Sequence, residues 1–454
     1  MSTKLTKYPE GGVRELLHLS IPMILSALSS NFMIFIDRAM LAHYSLDAMN
    51  AVGASSTTFL VFSLTFLSIT SIAEVFVGQL NGRKAYSKVS VPVWQMIWLS
   101  LFSALVFIGV SLFGANYIIP QKLHHYGVPY FKIMMNFGFL APLIAAVSSF
   151  FIGTGKAKII TCVVLFGNII NLVLDYLLIF GIGDYLYPMG SIGAAYATVA
   201  SQVIQALLLF LVFFNSANRQ KYKTLNWKFN KHYFKQCFKI GFPGAISHAS
   251  EIASWATLYY FATLAGNFYL TSLSIGQNVF VLFMFTIDGL EKGIISISSN
   301  LIGSKKYSLI HKMLDSSFKV YLVVMALLSV PLLIFPELVI NLFDVSDFKG
   351  INKSQLITYL TYTLMFVWLY FLIDSLVWIY AGVLTAAGDT KIIMVANSTC
   401  SWLFGTIPFY FLVNKFNLLS PSYTFGILCA YATINLAIIY YRFKSSVWKQ
   451  IKIN

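Results

Sequence analysis

Charged side chains are scarce in this sequence. They make up 10% of the 454 residues, whereas 58% of the residues are hydrophobic. Soluble globular proteins carry about a quarter charged residues, so the composition excludes a soluble domain. It predicts an all-α polytopic membrane protein.

Motifs that support enzyme chemistry are missing as well. There is no Gly-rich phosphate loop, no Ser-His-Asp pattern and no HExxH sequence. The four cysteines form no CxxC pair and lie in or next to apolar runs, which predicts small buried side chains rather than disulfides or metal ligands. They are Cys162, Cys237, Cys400 and Cys429. We therefore expect a protein that is not an enzyme and needs no cofactor other than a transported ion.

Long apolar runs recur about twelve times, and each is long enough for a bilayer-spanning helix, which needs ~20 residues. The predicted spans are 19–43, 52–79, 91–119, 128–152, 159–181, 190–214, 239–263, 271–302, 316–340, 355–385, 391–414 and 423–441. A basic linker at about 215–236 divides them into two sets of six. We expect an N-lobe at 1–220 and a C-lobe at 221–454, with no cleaved signal peptide before the first span.

Basic residues lie mainly on one side of this predicted topology. The loops on the side of the N-terminus include Arg83, Lys84, Lys156, Lys158, Lys305 and Lys306, besides the linker and the C-terminal tail, whereas the opposite loops hold four lysines. Because Lys and Arg favour cytoplasmic loops, this bias predicts an inner (cytoplasmic) membrane protein with both termini in the cytoplasm. It also accounts for the net charge of +15 without a nucleic-acid partner.

The two halves share a sequence pattern at a constant offset. Pro22 corresponds to Pro243, and the same offset in numbering, which we call the first repeat offset, carries Gly82 onto Gly303. Further on, GTGKAKII at 153–160 parallels AAGDTKII at 386–393 at a slightly larger, second repeat offset. Six helices in each half make the two copies parallel. We therefore expect a pseudo-two-fold axis along the membrane normal, which is a transporter architecture.

Acidic residues lie inside or at the edge of several apolar spans. A charged group there is costly, by roughly 2.5 kcal/mol or more, and is a functional candidate by default. The seven are Asp37, Glu74, Asp175, Glu251, Asp288, Glu291 and Asp374. For Glu74, Asp288 and Glu291, the presence of Lys292 favours a local ion pair or a polar gate.

One candidate coupling site lies in the second half. Glu251 falls near the middle of its span, and Tyr370 and Asp374 share a helix face because they are four residues apart. Two carboxylates with neutral oxygens suit a hard cation such as Na⁺. Alternatively, desolvation and mutual repulsion would make the pair a proton carrier.

A second candidate cluster lies in the first half. Asn171 and Asp175 also share a helix face, and Asp37 and Thr198 are predicted to join them. The cluster either binds the coupling ion or forms a hydrogen-bond network that holds the helices together.

Aromatic residues make up 16% of the chain. Most should face lipid or form belts at the membrane interfaces. Four are candidates for lining a cavity that binds an organic cation, namely Trp255, Tyr260, Trp368 and Trp378.

These features resemble the multidrug and toxic compound extrusion (MATE) family over nearly the whole chain. Pro22 followed by Asp37 is similar to the family's opening pattern, and NIINLVLDYLLIFG at 168–181 is similar to its helix-five signature. The second half is matched by Pro243 with Glu251, and by Asp374 followed by Gly382, Leu384, Asp389 and Thr390.

The resemblance implies a secondary antiporter that exports organic, often cationic and amphipathic compounds in exchange for Na⁺ or H⁺ by alternating access. In NorM-like members the second-half acids bind the cation, a role that carries to Glu251, Tyr370 and Asp374. In DinF-like members the first-half cluster does so, and that role carries to Asp37, Asn171, Asp175 and Thr198. The sequence holds both sets, so the ion and its site stay open.

The sequence departs from the family's patterns at three places. Arg38 follows the first acid, where a small or neutral residue is expected. Tyr176 stands where the DinF-like pattern has Pro, and Thr385 and Ala386 replace the usual Arg-Gly.

Two other functions are compatible with a polytopic chain. A lipid or lipid-linked saccharide flippase of the same superfamily would need a basic cavity for a pyrophosphate, whereas the candidates here are mainly acidic. A polytopic membrane enzyme would need a catalytic His or an acid pair that binds metal. We expect a monomer that lies in the lipid bilayer and transports small organic molecules.

Overall fold

The computed structural model describes residues 5–183, 185–343, 353–416, 418 and 420–451. Its main elements are long helical segments, and each predicted span falls on one of them. They are α1 Val13–Tyr44, α2 Leu46–Gly82, α3 Tyr86–Ile118, α4 Gln121–Asn136 with Leu140–Gly153, α5 Ala157–Phe180, α6 Ser191–Phe213, α7 Lys231–Ala265, α8 Asn267–Gly303, α9 Ser308–Ile334, α10 Lys353–Ala387, α11 Thr390–Lys415 and α12 Pro421–Lys444. Ten of these are long and apolar enough to cross a membrane, and α4 is an eleventh whose two parts are bent by 40°. The twelfth segment, α7, is long enough to cross a membrane, but its first turns are rich in lysine and it is less apolar than the others.

Local sequence explains where several helices begin and end. The Ser45 side chain accepts a hydrogen bond from the Ala48 amide at the start of α2, and Asn230 does the same for Tyr233 at the start of α7. At the end of α5, Gly181 takes a φ of +78°, which favours glycine.

The prediction that all four cysteines are buried is wrong for one of them. All four thiols are free, and Cys237, Cys400 and Cys429 are buried as expected, but Cys162 is exposed. Cys162 lies on the outward face of α5, where its neighbour on the next turn, Phe166, is also exposed.

The internal repeat is visible in the backbone. Lys84 and Lys305, which are related by the first repeat offset, both take a left-handed conformation, with φ of 62° and 59°. Both α3 and α9 contain a π-helical segment, at Val110–Gly114 and Val330–Ile334. These matched irregularities support two six-helix lobes related by pseudo-two-fold symmetry. The match is not complete, because α11 has π-helical segments at Ser401–Thr406 and Tyr410–Lys415 whereas α5 is a regular α-helix.

Each lobe has its own hydrophobic core, and two helices reach across. The first turns of α1 pack into the core of the C-lobe through Leu16 and Leu19. The first turns of α7 pack into the core of the N-lobe through Cys237 and Ala245. These are corresponding helices of the two repeats, so α1 and α7 join the lobes reciprocally.

The two ends of the chain lie at the same end of the bundle, which we call the terminal face. Near the N-terminus, Glu10 forms an ion pair with Lys306 at 2.6 Å. Near the C-terminus, the Trp448 ring contacts the ring of Tyr307, with centroids 6.1 Å apart. Both contacts are made to the turn between α8 and α9.

At the terminal face, α2 and α8 cross without room for a side chain. A Cβ added to Gly82 would lie 2.1 Å from the Asn300 carbonyl oxygen, and one added to Gly303 would lie 2.1 Å from that of Gln79. Gln79 and Asn300 are themselves related by the first repeat offset. The crossing therefore sits on the pseudo-two-fold axis.

Paired hydrogen bonds reinforce this crossing. The Gln79 amide donates to the Ala386 carbonyl of the C-lobe at 2.8 Å, and the Asn300 amide donates to the Gly153 carbonyl of the N-lobe at 2.9 Å. Gly153 and Ala386 are related by the second repeat offset. The lobes are thus closed against each other at the terminal face.

Candidate functional site

A cavity of about 520 Å³ lies between the lobes, above the terminal-face crossing. Its walls come from both lobes and include many serines and three methionines, Met23, Met284 and Met394. Unbranched methionine side chains adapt to ligands of different shape. Three acids and one lysine also line the cavity, so its formal charge is 1 − 3 = −2 when all four are ionised.

An ion pair joins the two lobes at the floor of this cavity. Lys292 on α8 donates to Glu74 on α2 at 2.9 Å, and the Glu74 side chain is only 3% exposed. The sequence predicted a local pair of Lys292 with Asp288 or Glu291. The structure instead assigns Lys292 a partner from the other lobe and leaves Asp288 exposed to the cavity.

Replacing Lys292 with Gln should destabilise the closed terminal face. It leaves the buried Glu74 carboxylate without a counter-charge, and breaking a buried pair in this way costs about 3–5 kcal/mol. The double variant Glu74→Gln/Lys292→Gln should recover much of the loss, because no charge is left unpaired. Thermal unfolding of the purified single and double variants measures both effects. Equal melting temperatures for Lys292→Gln and the unsubstituted protein would contradict this role.

The second-half acids converge beside the cavity. Glu251 on α7 and Asp374 on α10 are close enough for their charges to interact. Trp378, one turn after Asp374, donates its indole N–H to that carboxylate at 2.9 Å. Glu251 is half-buried, with 35% of its side chain exposed, and it lies one turn from His248, which lines the cavity.

A pair of tyrosines stands next to these carboxylates. The hydroxyl oxygens of Tyr370 and Tyr431 are 2.5 Å apart, and both lie near Glu251 and Asp374. Tyr370 is 1% exposed and is packed against the rings of neighbouring helices. The structure thus brings Glu251, Tyr370 and Asp374 together, as their spacing indicated.

The first-half acids form a separate, more enclosed cluster inside the N-lobe. Asp37 on α1 and Asp175 on α5 lie next to each other, and Asn171 lies beside Asp175. Asp175 and Asn171 are both 0% exposed. Asp175 has Asp37 and Asn171 as its polar side-chain neighbours. Among the described residues, no donor stands in good hydrogen-bond geometry to either oxygen of Asp175 or to Oδ1 of Asp37.

Thr198 and Arg38 lie near this cluster, and they differ in how they interact with its acids. The Thr198 hydroxyl donates to the Ala194 carbonyl on its own helix at 3.0 Å and, within the described part of the chain, is not hydrogen-bonded to either acid. Arg38 is exposed, yet it is near enough to Asp37 to act on its carboxylate electrostatically.

The four aromatic candidates lie in different surroundings. Trp378 lines the cavity between the lobes. Trp255 packs against Phe425, with centroids 6.4 Å apart, and Trp368 donates to the Met325 carbonyl on α9 at 3.5 Å. Tyr260 is 61% exposed.

Sequence reasoning missed several residues at both clusters. Tyr431 on α12 and Tyr130 on α4 are buried next to the acids of the C-lobe and the N-lobe, respectively. Neither stands at a helical spacing from an acid on its own helix, so no local pattern marks them. His248, one turn before Glu251 and 4.0 Å from it, could have been found by its spacing.

Asp389 and Thr390, in the turn after α10, connect neighbouring helices. Asp389 pairs with Arg442 on α12 at 2.7 Å. The Thr390 hydroxyl donates to the Ile240 carbonyl on α7 at 2.6 Å. This turn thereby ties three helices of the C-lobe together next to the cavity.

Comparison with known proteins supports this architecture. The sequence profile of the MatE family matches residues 22–177 and again 243–411, one copy in each lobe. The probable multidrug resistance protein NorM of Thermotoga maritima is 24% identical over 414 residues, covering 89% of this chain and 86% of that protein. The multidrug resistance protein MdtK of Photorhabdus laumondii is 23% identical and covers 86% of each chain.

Solved structures show the same fold. A crystal structure of MATE in the straight conformation superposes with a TM-score of 0.85 at 16% identity and covers 97% of this chain and 98% of that one. An outward-facing conformation of a multidrug resistance MATE transporter superposes with a TM-score of 0.83 at 15% identity over 98% of both chains. With the family profile matched in both lobes, the chain belongs to the MatE family of membrane transporters.

Proposed function

We propose that this chain is a secondary antiporter that exports organic, often cationic and amphipathic compounds in exchange for Na⁺ or H⁺. The relatives named as multidrug resistance proteins support the substrate class. So does the cavity, because a negatively charged and methionine-containing chamber of about 520 Å³ suits an amphipathic cation. No cofactor beyond the coupling ion is required.

The observation that carries the proposal is the adjacent pair Asp37 and Asp175, in which three of the four carboxylate oxygens have no well-placed donor among the described residues. Two ionised carboxylates cannot remain side by side in a protein interior without donors or a counter-ion. They therefore hold a proton between them or bind a cation, and the amide oxygen of Asn171 supplies a further neutral ligand for Na⁺. Their vacant hydrogen-bonding capacity, within the described part of the chain, fits either ion.

Glu251 and Asp374 have a different role in this proposal. Because 35% of its side chain is exposed, Glu251 can attract a cationic substrate or the coupling cation, but not both at once. Trp378 orients Asp374 through its indole N–H. Competition at this pair would transmit the ion gradient to the substrate, since an ion drives transport only through different affinities in the two states.

The lobes, residues 1–220 and 221–454, would exchange the side on which the cavity opens by rocking about their interface. The basic loops support a terminal face that lies in the cytoplasm, with the protein in the inner membrane as a monomer. The closed crossing of α2 and α8 then represents the state that faces outward. Export requires this crossing to open and reseal in each cycle.

Transport in proteoliposomes, with Na⁺ and pH gradients imposed separately, tests the proposal. We expect one of the two gradients to drive accumulation of a fluorescent organic cation. Glu251→Gln and Asp374→Asn should each reduce gradient-driven transport to background while the purified protein keeps its melting temperature. Asp47→Asn, which neutralises an exposed acid at the start of α2, is the matched control.

Full transport by both acid variants would reject the C-lobe pair as a coupling site. Transport that responds to neither gradient would reject the antiporter assignment itself.

A further inference from the structure

A second cavity, of about 710 Å³, opens at the terminal face. It lies against the crossing of α2 and α8, with Gly82 and Asn300 in its wall. Its lining comes from the α2–α3, α4–α5 and α8–α9 turns, from the N-terminal segment with the start of α1, and from the short helix Ser216–Tyr222 that follows α6. This basic cavity is distinct from the acidic one between the lobes, and the proposed transport cycle assigns it no task.

Positive charge converges on the basic cavity from both lobes. Six cationic side chains line it: Arg83, Lys84, Lys156, Lys221, Lys305 and Lys306. Two carboxylates also line it, Glu10 and Glu15, which leaves a formal charge of 6 − 2 = +4. A basic loop is usually a solvated surface, but here the basic residues of three separate turns and of the short linker helix Ser216–Tyr222 line one cavity.

Both carboxylates are already engaged. Glu10 accepts two hydrogen bonds from Lys306, at 2.7 and 2.6 Å. Glu15 is 1% exposed and accepts from the Gly11 amide and the Thr6 hydroxyl. Within the described lining of this cavity, the five cations other than Lys306 therefore have no carboxylate left to pair with.

Lys156 of the N-lobe and Lys221 of the linker lie close together in the wall. Lys156 donates to the neutral side chain of Asn218 at 2.9 Å. Lys221 lies over the rings of Tyr86 and Tyr222, at 4.5 and 4.9 Å from their centroids. Burial and the charge of Lys221 lower the pKa of Lys156. The repulsion between these lysines would be relieved by an anion.

The repeat places one lysine of each lobe at the rim. Lys84 and Lys305 are related by the first repeat offset, and both hold a left-handed backbone that costs a non-glycine residue roughly 1 kcal/mol. Among the described residues, neither forms an ion pair. An anion between them would contact both lobes at once.

We propose that the basic cavity binds a ligand carrying two or more phosphate groups and that binding holds the terminal face closed. Charge-assisted hydrogen bonds from Lys and Arg suit phosphate oxygens, and a single phosphate of charge about −2 would neutralise only part of the excess. The cavity is bounded by the closed crossing, so a ligand that bridges it stabilises this state by linkage. The same chemistry is offered by a soluble polyphosphate and by the headgroup of an anionic phospholipid.

Binding is measured on the purified full-length chain without transport, so the result is independent of the proposed antiport. The soluble probe is inorganic tripolyphosphate, titrated by calorimetry in detergent. The lipid probe is cardiolipin in phosphatidylcholine nanodiscs, with the melting temperature as the readout. Binding of either probe supports the proposal, and the probe that binds identifies the source of the ligand. Binding of neither probe overturns it.

Matched variants separate a built site from general charge attraction. Lys84→Ser/Lys305→Ser should weaken binding by about tenfold for each lysine removed. Lys228→Ser/Lys235→Ser removes the same charge from exposed linker positions and should leave binding unchanged. An equal loss in both double variants overturns the site.

A separate experiment tests whether binding to the basic cavity is coupled to closure of the terminal face. Gly78→Ala changes no residue that lines the basic cavity, but its Cβ would lie 2.0 Å from the Ser299 side-chain oxygen on α8 and obstruct the crossing. It should therefore also lower the affinity for the probe. Gly53→Ala, where an added Cβ meets nothing within 4 Å, should not. Unchanged affinity in Gly78→Ala would show that binding and closure are not coupled.

Discussion

Alanine at Gly82 or at Gly303 should abolish export. In either variant the new Cβ would lie 2.1 Å from a backbone carbonyl oxygen of the facing helix, and a backbone cannot rotate away as a flexible side chain can. Overpacking of this kind costs about 1–3 kcal/mol, so the equilibrium constant for closing this face would fall by roughly 5-fold to 150-fold. An antiporter that cannot seal this face leaks its coupling ion and cannot accumulate substrate gradients.

Substitutions at other glycines provide the control. Gly53→Ala in α2 and Gly109→Ala in α3 place a Cβ where nothing lies within 4 Å, and both should export normally. Initial rates in proteoliposomes compare the four variants. Solvent accessibility of the cavity from the terminal face, measured by hydrogen exchange of α2 and α8, should rise only in Gly82→Ala and Gly303→Ala. Normal export by these two variants would remove the crossing from the transport cycle.

The other large effect is expected for Asp175→Asn. This change keeps the shape of the side chain and removes the charge that would attract a proton or Na⁺ in the N-lobe. Gradient-driven export should fall to background. Because a ligand that binds only the folded protein raises its melting temperature, the coupling ion should stabilise the unsubstituted protein, and this stabilisation should vanish in Asp175→Asn.

The measurement is thermal unfolding across a series of Na⁺ concentrations and, separately, a series of pH values. Asp37→Asn should behave like Asp175→Asn, since the two carboxylates form one unit. Asp47→Asn should keep the response of the unsubstituted protein. If Asp175→Asn responded to the ion as the unsubstituted protein does, the two carboxylates would be structural rather than the coupling site.

Several features of the site could be predicted because they depend on spacing along one helix. Tyr370 and Asp374 share a face of α10 by being four residues apart, and Asn171 and Asp175 share a face of α5 for the same reason. The repeat offset also predicted that Gly82 and Gly303 are equivalent. The offset did not predict that these two glycines lie at the same helix crossing on the symmetry axis.

Other contacts could not be predicted, because they depend on which helices pack together. Lys292 has Asp288 and Glu291 within a turn of its own helix, yet it pairs with Glu74 of the other lobe. The nearby acids face the cavity, whereas Glu74 projects from α2 directly across the interface. A spacing rule compares neighbours on one helix and has no information on a partner 218 residues away.

Composition and the order of residues were sufficient to determine a membrane protein of two repeated six-helix lobes with acids inside its spans. Those properties follow from hydropathy, helix length and periodicity, which are local. The tertiary structure alone decided that the lobes close at the terminal face, that Tyr431 joins Tyr370, and that the acids divide into an enclosed N-lobe cluster and an accessible C-lobe cluster. Burial and distance between helices are set by packing, and packing depends on the whole chain at once.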